Sequence, residues 1–239
     1  MKIDVLGVSF DNVTLEDAVI TGAALSAAPG FRYVVTPNPE LVQLAEKDPE
    51  YSKILGAAAL TLPDGIGIIH AAKILGTPLK ARCPGIDFAS GLMAELEKSG
   101  GRLFLLGSKP GIAERAEVEL KTKYPALSIC GTGDGYFTDS ALVVAKIKES
   151  KADVLFVCLG APKQEQWMAQ YGPQTGAHLA VGLGGALDVF AGAVERAPQA
   201  FQKVGMEWFY RLLKQPSRIG RMAKLPLFLI KAVGKKHGT

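Results

Sequence analysis

The stretch Val154–Gln170, VLFVCLGAPKQEQWMAQ, contains the pattern that decides the fold. Its first seven residues, Val154–Gly160, form a continuous apolar run, which is typical of a strand buried on both faces of a parallel sheet. A turn containing Gly160 and Pro162 follows, and the residues from Gln164 onward predict a helix. The stretch therefore predicts one strand–turn–helix unit.

The same unit recurs along the chain, because other short runs rich in Val, Ile and Leu are each followed by a helical pattern. The predicted strands are Ile3–Val8, Tyr33–Thr36, Ala58–Leu62, Leu103–Gly107, Leu127–Gly131, Val154–Gly160 and Leu179–Leu183. The predicted helices are Leu15–Ala27, Glu40–Lys47, Ile66–Leu75, Ile86–Lys98, Ile112–Lys123, Ala141–Lys148 and Gln164–Gln170. This alternation predicts an α/β fold, a three-layer sandwich built on a mainly parallel sheet.

The composition excludes several classes of protein. The chain has 239 residues, of which 48% are hydrophobic and 21% charged, so it is too apolar to be disordered. It contains no uncharged apolar run of about 18 residues, the length of a membrane span, and residues 1–10 lack the pattern of a secretion signal. We therefore expect a cytosolic protein. Cys83, Cys130 and Cys158 are odd in number and lack zinc-site spacing, so no disulfide framework is expected.

Charge divides the chain into two parts. Residues 203–239 contain nine Lys/Arg and one acid, a balance of +8, whereas residues 1–202 contain 18 basic and 22 acidic residues, a balance of −4. We predict an α/β domain over residues 1–198 and a basic helical appendage over residues 199–239. A basic tail on an acidic body indicates a second role at an anionic surface.

Turn residues concentrate where the predicted strands end, and ligands of open parallel sheets bind at that edge. Gly107–Gly111, GSKPG, follows a strand and opens a helix, where backbone N–H groups suit a phosphate. A tight turn without a ligand explains the same residues equally well. The loop is neither G-x-G-x-x-G nor a Walker loop, which weakens the case for NAD or a P-loop.

Asp64 lies in Leu62-Pro-Asp-Gly65, immediately before a predicted helix. As an N-cap residue it would stabilise that helix. As a carboxylate at the carboxyl end of a strand, it could instead accept a proton from a hydroxyl group of an acceptor. The sequence leaves both interpretations open.

The sequence predicts no metal site. His70, His178 and His237 do not cluster, and the chain contains no Asp-x-Asp, the usual motif with which glycosyltransferases hold a divalent cation beside a diphosphate. An enzyme of this kind would rely on its own cations and helix termini to stabilise a diphosphate leaving group.

Several motifs together resemble one enzyme family. They are Thr36-Pro-Asn-Pro-Glu40, Leu62-Pro-Asp-Gly65, Gly131-x-x-x-Gly135-Tyr-Phe137, Gly160-Ala-Pro-Lys-Gln-Glu-Gln-Trp167, and Gly182–Asp188 followed by Arg196-Ala-Pro198. In this order, from about residue 5 to 225, they resemble the WecG/TagA/CpsF glycosyltransferases. The resemblance implies a Rossmann-like fold and transfer, with inversion and without a bound metal or other cofactor, of an N-acetylmannosamine-type sugar from UDP. The implied acceptor is GlcNAc linked to undecaprenyl diphosphate, a precursor of cell-surface polymers such as teichoic acid.

The resemblance also assigns roles to residues. It implies that Asp64 is the general base, that Thr36 and Asn38 line the same pocket, and that Arg82 acts on the acceptor or the diphosphate. Arg82 and Lys163 are the expected counter-charges of the leaving group. The predicted substrate-binding residues are Gly107, Gly135, Tyr136, Gly160, Lys163, Gln164, Gln166 and Asp188.

The basic tail predicts a membrane contact. Arg211, Lys214, Arg218 and Arg221 would form one stripe on a continuous helix, although Pro216 divides the region, and Trp208, Phe209, Leu212, Leu213 and Leu225–Ile230 add apolar surface. We therefore expect a peripheral protein on the inner face of the cell membrane. A charged helix face docked on the body is the alternative. No recognised nucleic-acid-binding module accompanies the stripe.

Two other functions remain open from the sequence. One is a soluble Rossmann-like oxidoreductase, which the missing dinucleotide fingerprint disfavours. The other is a non-catalytic module that binds a nucleotide sugar or a lipid, which turnover would exclude. The sequence also leaves open whether the protein is a homo-oligomer and which sugar it transfers.

Overall fold

The computed structural model describes residues 1–198, 201, 206–214 and 224–237, and a six-stranded parallel sheet forms the centre of this described part. An antiparallel hairpin, β1 (Lys2–Val5) and β2 (Val8–Asp11), precedes the sheet in sequence. The sheet consists of β3 (Arg32–Val35), β4 (Leu60–Thr61), β5 (Arg102–Gly107), β6 (Ser128–Gly133), β7 (Val154–Cys158) and β8 (Leu179–Gly182). The strands lie in the order β4-β3-β8-β7-β5-β6, which confirms the predicted α/β class.

Helices cover both faces of the sheet. They are α1 (Leu15–Ala27), α2 (Pro39–Lys47), α3 (Pro49–Gly56), α4 (Ile66–Ile74), α5 (Gly85–Ser99), α6 (Ile112–Lys123), α7 (Ser140–Ser150), α8 (Lys163–Tyr171), α9 (Ala186–Phe190), α10 (Glu207–Lys214) and α11 (Lys224–His237). Helices α2, α3, α4, α7, α8 and α11 contribute to the core on one face, and α1, α5, α6 and α9 to the core on the other. The result is the three-layer sandwich that the sequence predicts.

The continuous apolar runs are explained by burial on both faces. In β5, Phe104 and Leu106 belong to one core, whereas Leu103 and Leu105 belong to the other, and all four side chains are fully buried. Successive side chains of a strand point to opposite faces, so a strand between two helical layers must be apolar at every position.

The prediction that Ile3–Val8 is one strand of the parallel sheet is wrong. Leu6 and Gly7 both have positive φ, 54° and 94°, and turn the chain back so that Val5 pairs with Val8. Positive φ at both loop residues is the geometry of a two-residue hairpin. The remaining predicted strands and helices match the structure to within two residues at each end, whereas α3 and α9 were not predicted.

The appendage helix α11 packs on α2 and α4. Phe228 and Ala232 are fully buried in the same core as the body, and Lys231 pairs with Glu46. A side chain at Gly67 of α4 would come within 2.5 Å of Leu225, so the two helices are in close contact. The alternative in which a helix of the tail docks on the body therefore describes α11 well. The domain boundary between residues 198 and 199 stays a prediction. No helix among the described residues has both the length and the apolar composition needed to cross a bilayer.

We predict that Phe228→Ala lowers the free energy of unfolding by about 3 kcal/mol, because it leaves a cavity in a fully buried site. The matched control is Leu227→Ala on the same helix. Leu227 is 65% exposed, and its truncation should change stability by no more than about 0.5 kcal/mol. Urea unfolding of the two variants measures the difference, and equal losses would show that α11 is not held by the Phe228 contact.

Candidate active site

A cleft of about 1020 Å³ lies at the carboxyl ends of the sheet strands. Its walls come from the segments after β3, β4, β5, β7 and β8, from α2, and from Tyr210 and Leu227 of the appendage. The predicted site residues that line it are Thr36, Asn38, Asp64, Gly160, Gln164 and Asp188. A cleft of this size and position is where an open α/β sheet binds a small molecule.

Thr36 directly follows β3 and contacts the segment after β8. Its hydroxyl donates to the carbonyl of Gly182 at 3.1 Å. Gly85, at the start of α5, is packed so closely that an added Cβ would lie 3.2 Å from the Thr36 oxygen. Thr36 thus connects the ends of two neighbouring strands at the cleft wall.

Asn38 caps helix α2. Its side-chain oxygen accepts hydrogen bonds from the backbone N–H groups of Glu40, at 2.9 Å, and Leu41, at 3.2 Å. Asn38 therefore has a structural role in addition to its place in the cleft wall, because it satisfies two N–H groups that the helix leaves unpaired.

Asp64 does not cap the helix that follows it. The N-cap of α4 is Gly65, which makes no side-chain capping bond, and Oδ1 of Asp64 instead accepts from the backbone N–H of Gly85 at 3.3 Å. The carboxylate therefore lies at the N-terminus of α5 and faces the cleft. Burial, followed by the charges of Asp64 and Asp17, raises the pKa of the neighbouring Cys83 thiol to about 11. The thiol is therefore protonated at neutral pH and does not compete as a base.

The Gly107–Gly111 loop is stabilised mainly by bonds within the protein. A Cβ at Gly107 would lie 2.3 Å from the carbonyl oxygen of Cys158, so only glycine fits where β5 approaches β7. The Ser108 N–H donates to the same carbonyl at 3.1 Å, and its hydroxyl donates to Asp188 at 2.8 Å. Within this loop, the residue that lines the cleft is Lys109. The structure thus assigns Gly107 a packing role and adds Lys109, which the sequence analysis did not single out.

Five of the predicted substrate-binding residues do not line this cleft. Gly135 donates its N–H to Ser108, Lys163 donates to the Gly135 carbonyl at 3.2 Å, and Tyr136 is 67% exposed. Gln166 is exposed on α8, on a different side of the helix from Gln164. Gly107 is the fifth, as described above. Their roles in binding stay predictions.

Arg82 belongs to a network of ion pairs with the appendage. It contacts Glu207 of α10 at 3.4 Å, Glu207 contacts Arg196 at 3.2 Å, and Arg196 pairs through two nitrogens with Asp87. Glu207 is 8% exposed, so its buried charge depends on the two arginines that pair with it. The network connects Arg82 to the appendage and keeps it out of the cleft wall.

The appendage also forms part of the cleft wall, through Tyr210 and Leu227. The Tyr210 ring packs against Phe201 with centroids 5.6 Å apart, and its hydroxyl contacts Glu195 at 3.3 Å. Arg211 and Lys214 lie on α10, but their side chains are outside the described structure, as are Arg218 and Arg221 entirely. The predicted basic stripe therefore stays a prediction. The described residues contain no cluster of three or more His, Cys, Asp or Glu side chains suited to a metal ion.

Comparison with known proteins identifies the class of this α/β protein. Residues 3–239 match the sequence model of the Glycosyl transferase WecG/TagA/CpsF family, so the chain belongs to that family. It is 35% identical over 238 residues to an N-acetylglucosaminyldiphosphoundecaprenol N-acetyl-beta-D-mannosaminyltransferase of Staphylococcus aureus strain MW2, covering 99% of this chain and 94% of the relative. The protein of the same name from strain MRSA252 matches with the same identity and coverage. The resemblance inferred from the motifs is confirmed.

Proposed function

We propose that the chain is an inverting, metal-independent glycosyltransferase that moves an N-acetylmannosamine-type sugar from UDP to undecaprenyl-diphosphate-linked GlcNAc. Family membership and the name of the S. aureus relatives support the reaction class. The observation that carries the proposal is the position of Asp64, a carboxylate in a cleft large enough for a nucleotide sugar, which the loops after β7 and β8 also line. No described feature favours the oxidoreductase alternative.

The proposed reaction is a single displacement at the anomeric carbon. Asp64 takes the proton of the acceptor hydroxyl, and the hydroxyl oxygen attacks the anomeric carbon from the side opposite UDP. The bond between the anomeric carbon and the β-phosphate oxygen breaks, and its electron pair leaves with UDP. Lys109 and the N-terminus of α8, both at the cleft, meet the negative charge that develops on the diphosphate. Because the acceptor oxygen attacks from the side opposite the leaving UDP, the anomeric configuration of the sugar is inverted.

The direct test supplies a panel of UDP-sugars with a short-chain GlcNAc-diphosphoprenyl acceptor and identifies the product by mass spectrometry. We expect the mass of one N-acetylhexosamine to be added from UDP-N-acetylmannosamine, at equal rates in excess EDTA and in Mg²⁺. Transfer from no UDP-sugar would contradict the proposed function. Loss of activity in EDTA with recovery in Mg²⁺ or Mn²⁺ would contradict the metal-independent mechanism.

Asp64→Asn should lower kcat by at least about 100-fold, because the amide cannot accept the proton. UDP binding, measured by calorimetry, should be retained. The control is Asp139→Asn, which replaces the N-cap of α7 with an equally good capping residue and should leave turnover unchanged. Turnover of Asp64→Asn near the wild-type level would remove Asp64 from the role of base.

The acceptor's prenyl chain requires the enzyme to reach a membrane, and we propose that the appendage makes this contact. On α11, Leu227 is 65%, Ile230 66% and Val233 43% exposed, at a spacing of three residues. Lys231 and Lys235 lie on the same helix, where they pair with Glu46 and Asp4, and Leu227 also lines the cleft. An exposed apolar row on a basic helix beside the cleft is suited to the interface of an anionic bilayer.

Replacing both Leu227 and Ile230 with Glu should abolish co-sedimentation with vesicles of anionic phospholipid, because it places two charges where apolar side chains would insert. Leu142→Glu is the control, since Leu142 is 70% exposed on α7. Reversing the charge of Arg211, Lys214, Arg218 and Arg221 should weaken the same binding, by about 1 kcal/mol for each engaged residue. If all variants sediment like wild type, the appendage is not the membrane contact.

A further inference from the structure

A buried polar cluster lies directly behind the cleft wall. Gln164 is 3% exposed and Glu165 1% exposed, and the Tyr51 side chain of α3 is fully buried beside them. The other buried residues of α8, Trp167 and Met168, belong to the hydrophobic core. A carboxyl group at such a position costs free energy unless its hydrogen bonds compensate, so its presence indicates a function.

Gln164 connects this cluster to the cleft. Its side-chain oxygen accepts from the backbone N–H of Gly184 at 2.8 Å, and its side-chain nitrogen donates to Oε1 of Glu165 at 2.7 Å. A carboxamide has one accepting and one donating end. The bond to Glu165 therefore determines that the oxygen of Gln164, and not its nitrogen, faces Gly184.

The segment held in this way is the cleft wall after β8. Leu183, Gly184 and Gly185 all line the cleft, and Gly184 has φ +56°. Two residues earlier, Thr36 donates to the carbonyl of Gly182. Thr36 and Gln164 therefore both hold the stretch 182–184 by hydrogen bonds to its backbone, and Gln164 is itself bonded to Glu165.

Glu165 can serve as the acceptor for Gln164 without a charge. Burial raises the pKa of its carboxyl group, against the smaller opposing effects of the hydrogen bond from Gln164, of its own backbone and of the neighbouring Tyr51. Burial, and after it the charge of Glu165, raises the pKa of the Tyr51 hydroxyl as well, with a smaller contribution from Asp48. Either protonation state leaves Oε1 able to accept from Gln164, so the acceptor atom is the property that matters.

We infer that Glu165 is a positioning residue, which orients the Gln164 carboxamide and thereby holds the 183–185 segment in the shape that binds the diphosphate of the donor. The inference rests on the proposed function, in which this cleft binds a UDP-sugar. Glu165 itself does not line the cleft.

The test is UDP binding by titration calorimetry in three variants. Glu165→Leu removes the acceptor and should weaken UDP binding by about tenfold, because Gln164 is no longer oriented toward Gly184 and the 183–185 segment loses its support. Glu165→Gln keeps an accepting oxygen and should bind UDP within about twofold of wild type. Glu165→Asp keeps the carboxyl group but places it out of reach of Gln164, and should resemble Glu165→Leu; it tests the same point if the leucine variant does not fold.

A double-mutant cycle identifies the route of the effect. If Glu165 acts through Gln164, adding Glu165→Leu to Gln164→Leu should cost no further affinity. Additive losses would overturn the inference, as would wild-type UDP binding by both Glu165→Leu and Glu165→Asp, or binding by Glu165→Gln as weak as that of Glu165→Leu. Failure of the proposed function is distinguishable, because the wild-type protein itself would then not bind UDP.

Discussion

The central position of strand β8 in the sheet determines which loops come together to form the cleft. Of the strands in the described residues it comes last in sequence, yet it lies in the middle of the sheet, and Ala180 pairs with Tyr33 on one side and with Leu155 on the other. It therefore joins β3 and β4 to β7, β5 and β6. Without this pairing the segments after β3 and β7 would not meet, and Thr36 could not reach Gly182.

The same pairing explains why polar groups are packed tightly around the cleft. The carboxyl ends of neighbouring parallel strands must lie side by side, so the residues that follow these strands pack closely against one another. Gly107 is confined by Cys158, and Gly182 by Gln164 and Met168, at distances that a larger residue would violate. Hydrogen bonds donated by Thr36 and Ser108, and one accepted by Gln164, then fix the walls. The site is preorganised by the protein's own contacts before a ligand binds.

The fold could be predicted well from the sequence, because each strand and helix is indicated by residues that are close together in the chain. Continuous apolar runs identified the parallel strands. The run Ile3–Val8, however, contains a turn at Leu6–Gly7 that its apolar composition did not indicate. The motifs singled out Thr36, Asp64 and Gln164, and these three residues line one cleft, while their roles in binding and catalysis stay predictions. Lys109 and the contact between Arg82 and Glu207 could not be predicted, since both depend on how distant segments pack. The burial of Glu165 also depends on α3, a helix that the sequence analysis did not predict.

The account depends on the cleft being the donor site, and a crystal structure of the protein with UDP tests this most directly. The account predicts that the diphosphate lies between Lys109 and the 183–185 segment, with Asp64 on the far side of the position that the sugar would occupy. UDP bound elsewhere, with Thr36, Asp64 and Gln164 away from it, would contradict the assignment of the site and the mechanism built on it.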